Sequence, residues 1–473
     1  MIMLNRNTEE KQASTAKITV WYVLSSILVN ALNFLTTPIF TRILSKSEYG
    51  QYSNFISWQT ILEILVTLNI SMSITRAKYE FDGEMEKYIC SILLFSNIIT
   101  GASYLIIEIN NVFFTDFFSM DIFLIRVMFL YLMFHPTFVY LQIKHRIYRK
   151  YKFFIAFSLV TALIRTIVAL LLVCEWNNKT YARILGDIMP ITLFNMVLWI
   201  AVINRGRCMH KCHIVYAICI SVPLIPHSLA GQFLAHADKI MITKYWGSEY
   251  TATYSLVYSV GALASILWSA MNQAWAPWLY DNMAAGNSHA IRKNSKIYLA
   301  VFAVIIVGIL LVAPEAVLIL GGEKYFSARF LMPVIVMSCV CQFIYGMYVN
   351  IEIFTKKTVQ ISVGTVGAGL LNIVLNLIFI PRFGYEAAAW TTLVGYAMLL
   401  VFHYGMVKKN RLYLDIYDIR YILRMIIGLL ILCVCSMLLY RYNVIRYICM
   451  LIYFVALCIG VVKNKGVIVR LMR

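Results

Sequence analysis

The sequence predicts an all-α polytopic membrane protein with about fourteen transmembrane helices. Of its 473 residues, 61% are hydrophobic and only 13% are charged, and the mean hydropathy is +0.76. Soluble chains carry about 45–50% apolar and about 25% charged residues, so this chain has too little polar surface for a soluble fold. The apolar runs are long, continuous and rich in Leu and Ile, which excludes the short alternating strands of a membrane barrel.

Fourteen segments meet or approach the roughly 20 apolar residues that a membrane helix needs. These predicted spans are 18–39, 51–72, 89–108, 122–143, 153–174, 184–204, 213–236, 251–274, 297–320, 330–355, 358–380, 385–406, 421–440 and 445–462. The loops between them are short, so no soluble catalytic domain is predicted on either face.

The basic residues predict the orientation of the chain. The net charge is +19, and Lys and Arg lie in short clusters between the apolar runs. With the N-terminus inside, the inner segments carry 27 of these residues and the outer segments 10, a bias typical of cytoplasmic loops. We therefore expect both termini in the cytoplasm. Because the basic residues form no solvated surface, no nucleic-acid partner is expected.

An internal repeat predicts two lobes. Ser-Glu-Tyr occurs at 47–49 and again at 248–250, after the first and the seventh span. Six spans separate the copies, and this even offset keeps their orientation, as in parallel transporter repeats. The predicted domains are a lobe over 1–204, a second lobe over 205–406, and two extra helices with a cytoplasmic tail over 407–473.

Polar residues follow one face of the first span and one face of the seventh. Asn30 and Asn33 belong to the first set, and Gln232 and Lys239 to the second, at the spacing of three or four residues that marks a helix face. Such faces in lipid either hydrogen-bond to another helix or line a wet cavity. The matching positions favour a cavity and make these four residues candidate substrate ligands.

Arginines are concentrated in the first lobe. Arg126 and Arg165 lie within predicted spans, and Arg42 and Arg76 lie near helix ends. A guanidinium group binds phosphate with two parallel hydrogen bonds, so a cationic lobe suits an anionic ligand. These four arginines are candidate substrate-binding residues.

Three acidic residues are candidates for coupling transport to a cation: Glu63, Asp187 and Asp238. Ionisable groups in lipid mark functional sites or pair with one another. The alternative is therefore structural, with Arg165 paired to Asp187 or Glu63, and with Asp238 paired to Lys239.

No metal, cofactor or catalytic site is predicted. Cysteine and histidine alternate over 208–213 at a spacing that resembles a zinc site, but the loop is too short to fold around an ion. A glycine-rich phosphate loop is absent, and no Ser, His and Asp fall on one site. We expect a protein that is not an enzyme.

Four segments in order resemble the polysaccharide repeat-unit (Wzx-type) flippases of the multidrug/oligosaccharidyl-lipid/polysaccharide (MOP) exporter superfamily. They are NFLTTPIFTRIL with EYG (33–44, 48–50), DKIMI (238–242), WAPW (275–278), and LNIVLN with IPRFGY (371–376, 380–385). The resemblance covers about residues 15–410.

The resemblance implies two six-helix lobes, as in MATE transporters, with two C-terminal helices and alternating access. It implies transport of an undecaprenyl-diphosphate-linked oligosaccharide, such as an O-antigen or capsule unit, to the outer leaflet of the bacterial cytoplasmic membrane. The implied partners are this glycan, membrane lipids, and candidate assembly proteins such as a polymerase. Arg42 and Arg76 match recurrent basic positions of the family.

Two other functions stay open. A MATE-like cation or drug antiporter would need acidic residues in the first lobe, where the first span holds none. A membrane polysaccharide polymerase or ligase would need a large outer loop, and the longest here has about 14 residues.

Overall fold

The structure is a computed structural model that describes residues 28–29, 31–32, 34–148, 152–410 and 416–463, without the side chains of 152–154 and 461–463. Regular structure in these ranges is helical, with no strand. The first helix, α1, is continuous over 34–43. The other α-helices are α2 Lys46–Val66, α3 Ile74–Glu80, α4 Met85–Ile109, α5 Asn111–Phe118, α6 Ile122–Ile147, α7 Lys152–Glu175, α8 Lys179–Gly206, α9 Lys211–Ser221, α10 Ile225–Trp246, α11 Ser248–Ala284, α12 Ser288–Gly321, α13 Met332–Phe354, α14 Thr358–Phe383, α15 Ala387–Lys409, α16 Ile419–Leu439 and α17 Asn443–Lys463.

The helices confirm the predicted fold class. Within the described ranges, 12 helices are long and apolar enough to cross a membrane, or up to 13 when the bent pair Lys46–Val66 and Ile70–Glu80 counts as one span. These correspond in order to thirteen of the fourteen predicted segments. The remaining segment, 18–39, lies mostly outside the described residues.

The chain divides into two compact units. Unit 1 contains the residues up to Ala252 together with Asn376–Tyr385, and unit 2 contains Thr253–Leu375 and the residues from Glu386 onwards. The units reflect packing contacts, whereas the predicted lobes reflect a sequence repeat. The lobe boundaries at 204 and 406 therefore stay a prediction.

The second span is broken, which the sequence did not predict. Helix α2 begins with a capping box, in which Ser45 Oγ accepts from Glu48 N and Glu48 Oε2 accepts from Ser45 N. It ends at Val66, and Leu68 and Asn69 follow with φ of 49° and 54°, where the chain bends by 56°. Left-handed backbone is unusual outside glycine but is tolerated by Asn. Asn69 Nδ2 also donates to Ser228 Oγ at 2.8 Å, which holds the bend against α10.

Aromatic packing forms the core of unit 1. Trp58 of α2 lies edge-on to Phe118 of α5, with ring centroids 4.8 Å apart. Asn54 Nδ2 donates to Phe118 O at 2.9 Å and closes the end of α5. The sequence analysis predicts a loop between the third and fourth spans, where the structure has α5. The phenylalanines of α5 bury enough apolar surface to hold this short helix against α2 and α6.

Polar contacts attach the last two helices to α12 in unit 2. Arg446 of α17 is almost fully buried and forms a two-pronged ion pair with Glu315 of α12. Tyr440 Oη donates to Leu310 O at 2.7 Å. At the other end, Lys296 Nζ lies 2.8 Å from Asp418, which caps α16. The hydrogen bond from Lys296 is the main reason why the pKa of the Asp418 carboxyl is lowered to about 2.

We expect Arg446→Met to weaken the attachment of α17 to α12. The substitution leaves Glu315 without its ion-pair partner, and removal of one partner of a buried pair costs about 3–5 kcal/mol. Most side chains of α17 are not buried, and a further hydrogen bond to α12 runs from Tyr453 Oη to Val304 O at 2.6 Å. Hydrogen exchange in α17 is expected to accelerate in membranes. Arg441→Met, at an exposed arginine before α17, is the matched control, and equal exchange in both variants would contradict the prediction.

Candidate anion-binding site

Two arginines share one buried carboxylate where α7 and α8 meet α2. Arg165 Nη2 lies 2.9 Å from Asp187 Oδ1, and Arg183 Nη1 lies 3.7 Å from the same oxygen. Tyr52 Oη donates to Asp187 Oδ2 at 2.9 Å. We call Tyr52, Arg165, Arg183 and Asp187 the arginine cluster. It shows the pairing of Arg165 with Asp187, which was the structural alternative for both residues, and it adds Arg183, which the sequence analysis did not select.

Aromatic rings hold the Arg183 guanidinium in place. Its central carbon lies 3.8 Å from the Phe40 ring centroid and 4.3 Å from that of Tyr52. Its Nη2 donates to Tyr52 Oη at 3.1 Å. Cation–π contacts of this kind strengthen away from water. Arg183 is thus a fixed positive charge rather than a mobile surface group.

Close packing of α7 against α8 brings Asp187 and Arg165 together. A Cβ at Gly186 would lie 2.3 Å from the Cα of Ala169, so the absence of a side chain lets α8 approach α7 backbone to backbone. Asp187 follows Gly186 directly, and Arg165 lies one turn before Ala169. The pairing therefore depends on small residues at the contact.

The arginine cluster carries one net positive charge, because two guanidinium groups face one carboxylate. Arg165 is the accessible member, with 33% of its side chain exposed, whereas Arg183 and Asp187 are 12% and 9% exposed. A guanidinium already paired on one edge still has N–H donors for a second anion. The geometry suits an anionic group approaching Arg165.

A carboxylate–imidazole pair lies beside the cluster. His135 Nδ1 of α6 is 2.9 Å from Glu63 Oε1 of α2, and both side chains are partly buried. The Tyr131 ring stacks on His135 at 4.6 Å. Glu63 is therefore partnered by His135 and not by Arg165.

Arg126 lies in a different place. It pairs with Glu108 through two hydrogen bonds, and half of its side chain is exposed. Arg126 lines a cavity of about 350 Å³ between α4 and α6, together with apolar groups, Tyr104 and Thr100. Arg126 is thus neutralised locally by a carboxylate of its own.

The remaining first-lobe candidates are spread along the chain. Arg42 is exposed near the end of α1. Arg76 is exposed on α3. Asn30 and Asn33 lie outside the described residues.

The candidates Gln232 and Lys239 lie on α10, the helix that also carries the buried carboxylate of Asp238. Asp238 is 1% exposed and accepts a hydrogen bond from Asn376 Nδ2 at 2.9 Å. Gln232 and Lys239 are half-buried on the same helix. Asp238 therefore has an amide partner, Asn376, and its pairing with Lys239 stays a prediction.

The cysteine–histidine loop brings Cys208 Sγ within 3.0 Å of His210 Nε2. In the part of the chain that the structure describes, no group of three or more His, Cys, Asp or Glu side chains has metal-binding geometry.

The profile of the polysaccharide biosynthesis protein family matches residues 15–283. The chain belongs to this family. No curated protein sequence matches the chain. This family member is similar in fold to several solved structures, at 12–14% sequence identity.

The relatives are flippases and transporters of the MOP superfamily. The lipid II flippase MurJ, in an inward closed conformation, has a TM-score of 0.71 at 13% identity over 95% of this chain and 100% of its own. The MATE multidrug transporter DinF-BH, in complex with R6G, has a TM-score of 0.54 at 14% identity over 85% and 96%. A Vibrio cholerae MATE transporter has a TM-score of 0.53 at 12% identity over 86% and 99%.

The family and the apolar helices make this chain a multi-pass membrane protein with the fold of flippases and transporters.

Proposed function

We propose that this chain is a flippase that moves an undecaprenyl-diphosphate-linked oligosaccharide from the inner to the outer leaflet of the bacterial cytoplasmic membrane by alternating access. The proposal places both termini in the cytoplasm, following the bias of Lys and Arg. O-antigen and capsule repeat units are the glycans this class of carrier bears.

The observation that carries the proposal is the accessible guanidinium edge of Arg165, in a cluster where two guanidinium groups share one carboxylate within a membrane-spanning unit. A fixed cation in lipid costs free energy and marks the path of a ligand of opposite charge. A diphosphate offers several oxygens to the accessible edge of Arg165, and such charge-assisted bonds are the strong ones. Arg42, Arg76, Arg126 and Lys239 are further cationic candidates for contacts along the path, with Gln232, Asn30 and Asn33 as hydrogen-bonding candidates.

An apolar groove supports a lipid-linked cargo. It lies between α7 and α8, the helices that hold Arg165 and Asp187, and has a volume of about 620 Å³. Its lining is apolar and includes Ile164, which precedes Arg165 in the chain, and Trp176. An alkyl chain fits such a surface, because burying apolar area is favourable and the groove offers almost no polar group. The charged and apolar ends of one lipid-linked substrate thus have neighbouring partners.

The alternative is a MATE-like antiporter of cations or drugs. The pair Glu63–His135 favours it, because an acid in the first unit could bind a coupling cation or a cationic drug, and Asp187 and Asp238 are further acidic candidates. The fold likeness to MATE transporters fits this alternative equally. The charge of the arginine cluster favours the anionic cargo.

The experiment is made on cells that lack this protein, with membrane glycolipids extracted and assigned to a leaflet. We expect a diphosphate-linked repeat unit to accumulate in the inner leaflet while surface polymer is lost, and the intact chain to restore both. New sensitivity to cationic drugs without accumulation would instead indicate the antiporter. Completed units that stay unpolymerised in the outer leaflet would indicate a polymerase.

A further inference from the structure

Unit 2 contains a fully buried carboxylate–imidazole pair that the proposed function does not use. Glu352 lies near the end of α13 and His403 lies in α15. Glu352 Oε2 and His403 Nδ1 are 2.7 Å apart, and both side chains are 0% exposed. Ionisable side chains this deep in a membrane protein are costly unless they serve a purpose.

Each side chain of the pair has a second polar atom, which does not face the other side chain. Among the described residues, neither Glu352 Oε1 nor His403 Nε2 is bonded. The backbone of α14 closes the Nε2 side, where a Cβ at Gly364 would come within 3.1 Å of that nitrogen. The ring of Tyr345 stacks on the imidazole at 5.7 Å, and Phe402 lies against its edge at 5.4 Å. The space therefore suits a ligand no larger than a proton.

The net charge of the buried pair depends on how many protons it holds. A neutral His403 that donates to an ionised Glu352 leaves one net negative charge, and Glu352 has no other ion-pair partner among the described residues. One added proton brings the pair to neutrality, and a second would make it positive. An isolated net charge is strongly disfavoured in an apolar interior, so the neutral form with one added proton is the stable one. Two groups this close exchange protons as a unit.

The pair is also close to a membrane surface. The exposed residues Lys356 and Lys357 follow Glu352 by about one helical turn. Besides these lysines, Tyr345 of α13 is the titratable side chain in contact with the imidazole, and α14 contributes the backbone at Gly364. The pair therefore lies about one helical turn from the end of α13.

We propose that Glu352 and His403 form a proton-binding site of unit 2, which takes up one H⁺ as a unit and holds α13 against α15 in its protonated state. The site is independent of the cargo that unit 1 binds, so it can be tested on the purified chain without a transport substrate.

The test compares thermal unfolding of the full chain in lipid nanodiscs with that of the double variant Glu352→Gln and His403→Gln, from about pH 5 to 8. The double variant holds no proton-binding group at the site, whereas the neutral wild-type pair holds one proton that the unfolded chain gives up to water as pH rises. We expect the wild-type midpoint to fall relative to the double variant across this range. His289→Gln, at an exposed histidine, is the matched control and is expected to run parallel to the wild type. Parallel curves for the wild type and the double variant would overturn the proposal.

Should the double variant fail to accumulate, nitrogen NMR of the chain labelled at its eight histidines replaces the unfolding comparison. An imidazole that titrates at higher pH than His289, and that shifts back in Glu352→Gln, supports the site. Rings that are all unchanged by Glu352→Gln overturn it.

Discussion

Gly50→Ala is expected to abolish accumulation of the folded protein. A Cβ at this position would lie 1.7 Å from the carbonyl oxygen of Ser248 and 2.5 Å from its carbonyl carbon. Both are backbone atoms and cannot rotate away, so α2 would have to separate from the start of α11. Overpacking commonly costs about 1–3 kcal/mol, and a clash with backbone is expected at or beyond the upper end.

The measurement is the amount of monodisperse protein extracted from membranes, together with its unfolding midpoint. Gly101→Ala is the matched control, because a Cβ there meets nothing within 4 Å and alanine is the better helix former. Equal yields and midpoints for the two variants would refute the close approach of Gly50 and Ser248.

This contact also explains the repeated motif. Gly50 follows the first Ser-Glu-Tyr copy and Ser248 begins the second, so the two copies pack against each other. Nearby, Trp246 Nε1 donates to Ile380 O at 2.8 Å, and the Tyr250 and Tyr385 rings lie 5.1 Å apart. Segments that carry the family resemblance therefore meet in unit 1. Their observed contacts are packing contacts, which explains why they identify the fold better than the cargo.

Arg165→Gln is expected to reduce transport while the protein still folds. Asp187 keeps Arg183 and Tyr52 as partners, so no buried carboxylate is left unpaired. The cluster then loses its net positive charge and its accessible guanidinium. Hydrogen bonds to charged groups contribute about 1.5–3 kcal/mol, which corresponds to a fall of about 10- to 100-fold in transport. The measurement is surface polymer restored in cells that lack the wild-type protein, normalised to protein in the membrane.

Two variants make this result specific. Arg441→Gln removes an exposed arginine at the turn before α17 and is expected to leave transport unchanged. Asp187→Asn raises the net charge of the cluster and is expected to retain recognition of an anion better than Arg165→Gln does. Full transport in Arg165→Gln combined with loss in Asp187→Asn would contradict the anionic-cargo account and favour cation binding.

Most of the fold could be predicted from the sequence because lipid imposes it. Long apolar runs must form helices when no water is present to satisfy the backbone, so hydropathy alone locates the spans. The break after α2 escaped prediction, because Leu68 and Asn69 are unremarkable in an apolar run and their left-handed backbone depends on a tertiary bond to Ser228. The helix α5 was also missed, since its stability comes from packing on Trp58 rather than from its own length.

The site was predicted in part. The pairing of Arg165 with Asp187 was one of two alternatives, because charge alone could not choose between Asp187 and Glu63. Arg183 was overlooked since it precedes the predicted sixth span by one residue. Its spacing of four from Asp187 on one helix was the available signal. His135 had no such signal, because its partner lies 72 residues away in sequence.

The most direct test of the central claim is transbilayer movement in liposomes that contain only the purified chain. A polyprenyl-diphosphate glycan with a fluorescent sugar is placed in both leaflets, and an impermeant quencher reports the fraction that stays protected. We predict that wild type makes the protected fraction accessible, that Arg165→Gln does so about 10- to 100-fold more slowly, and that a cationic dye is not moved. Movement of the dye without movement of the diphosphate lipid would contradict the account.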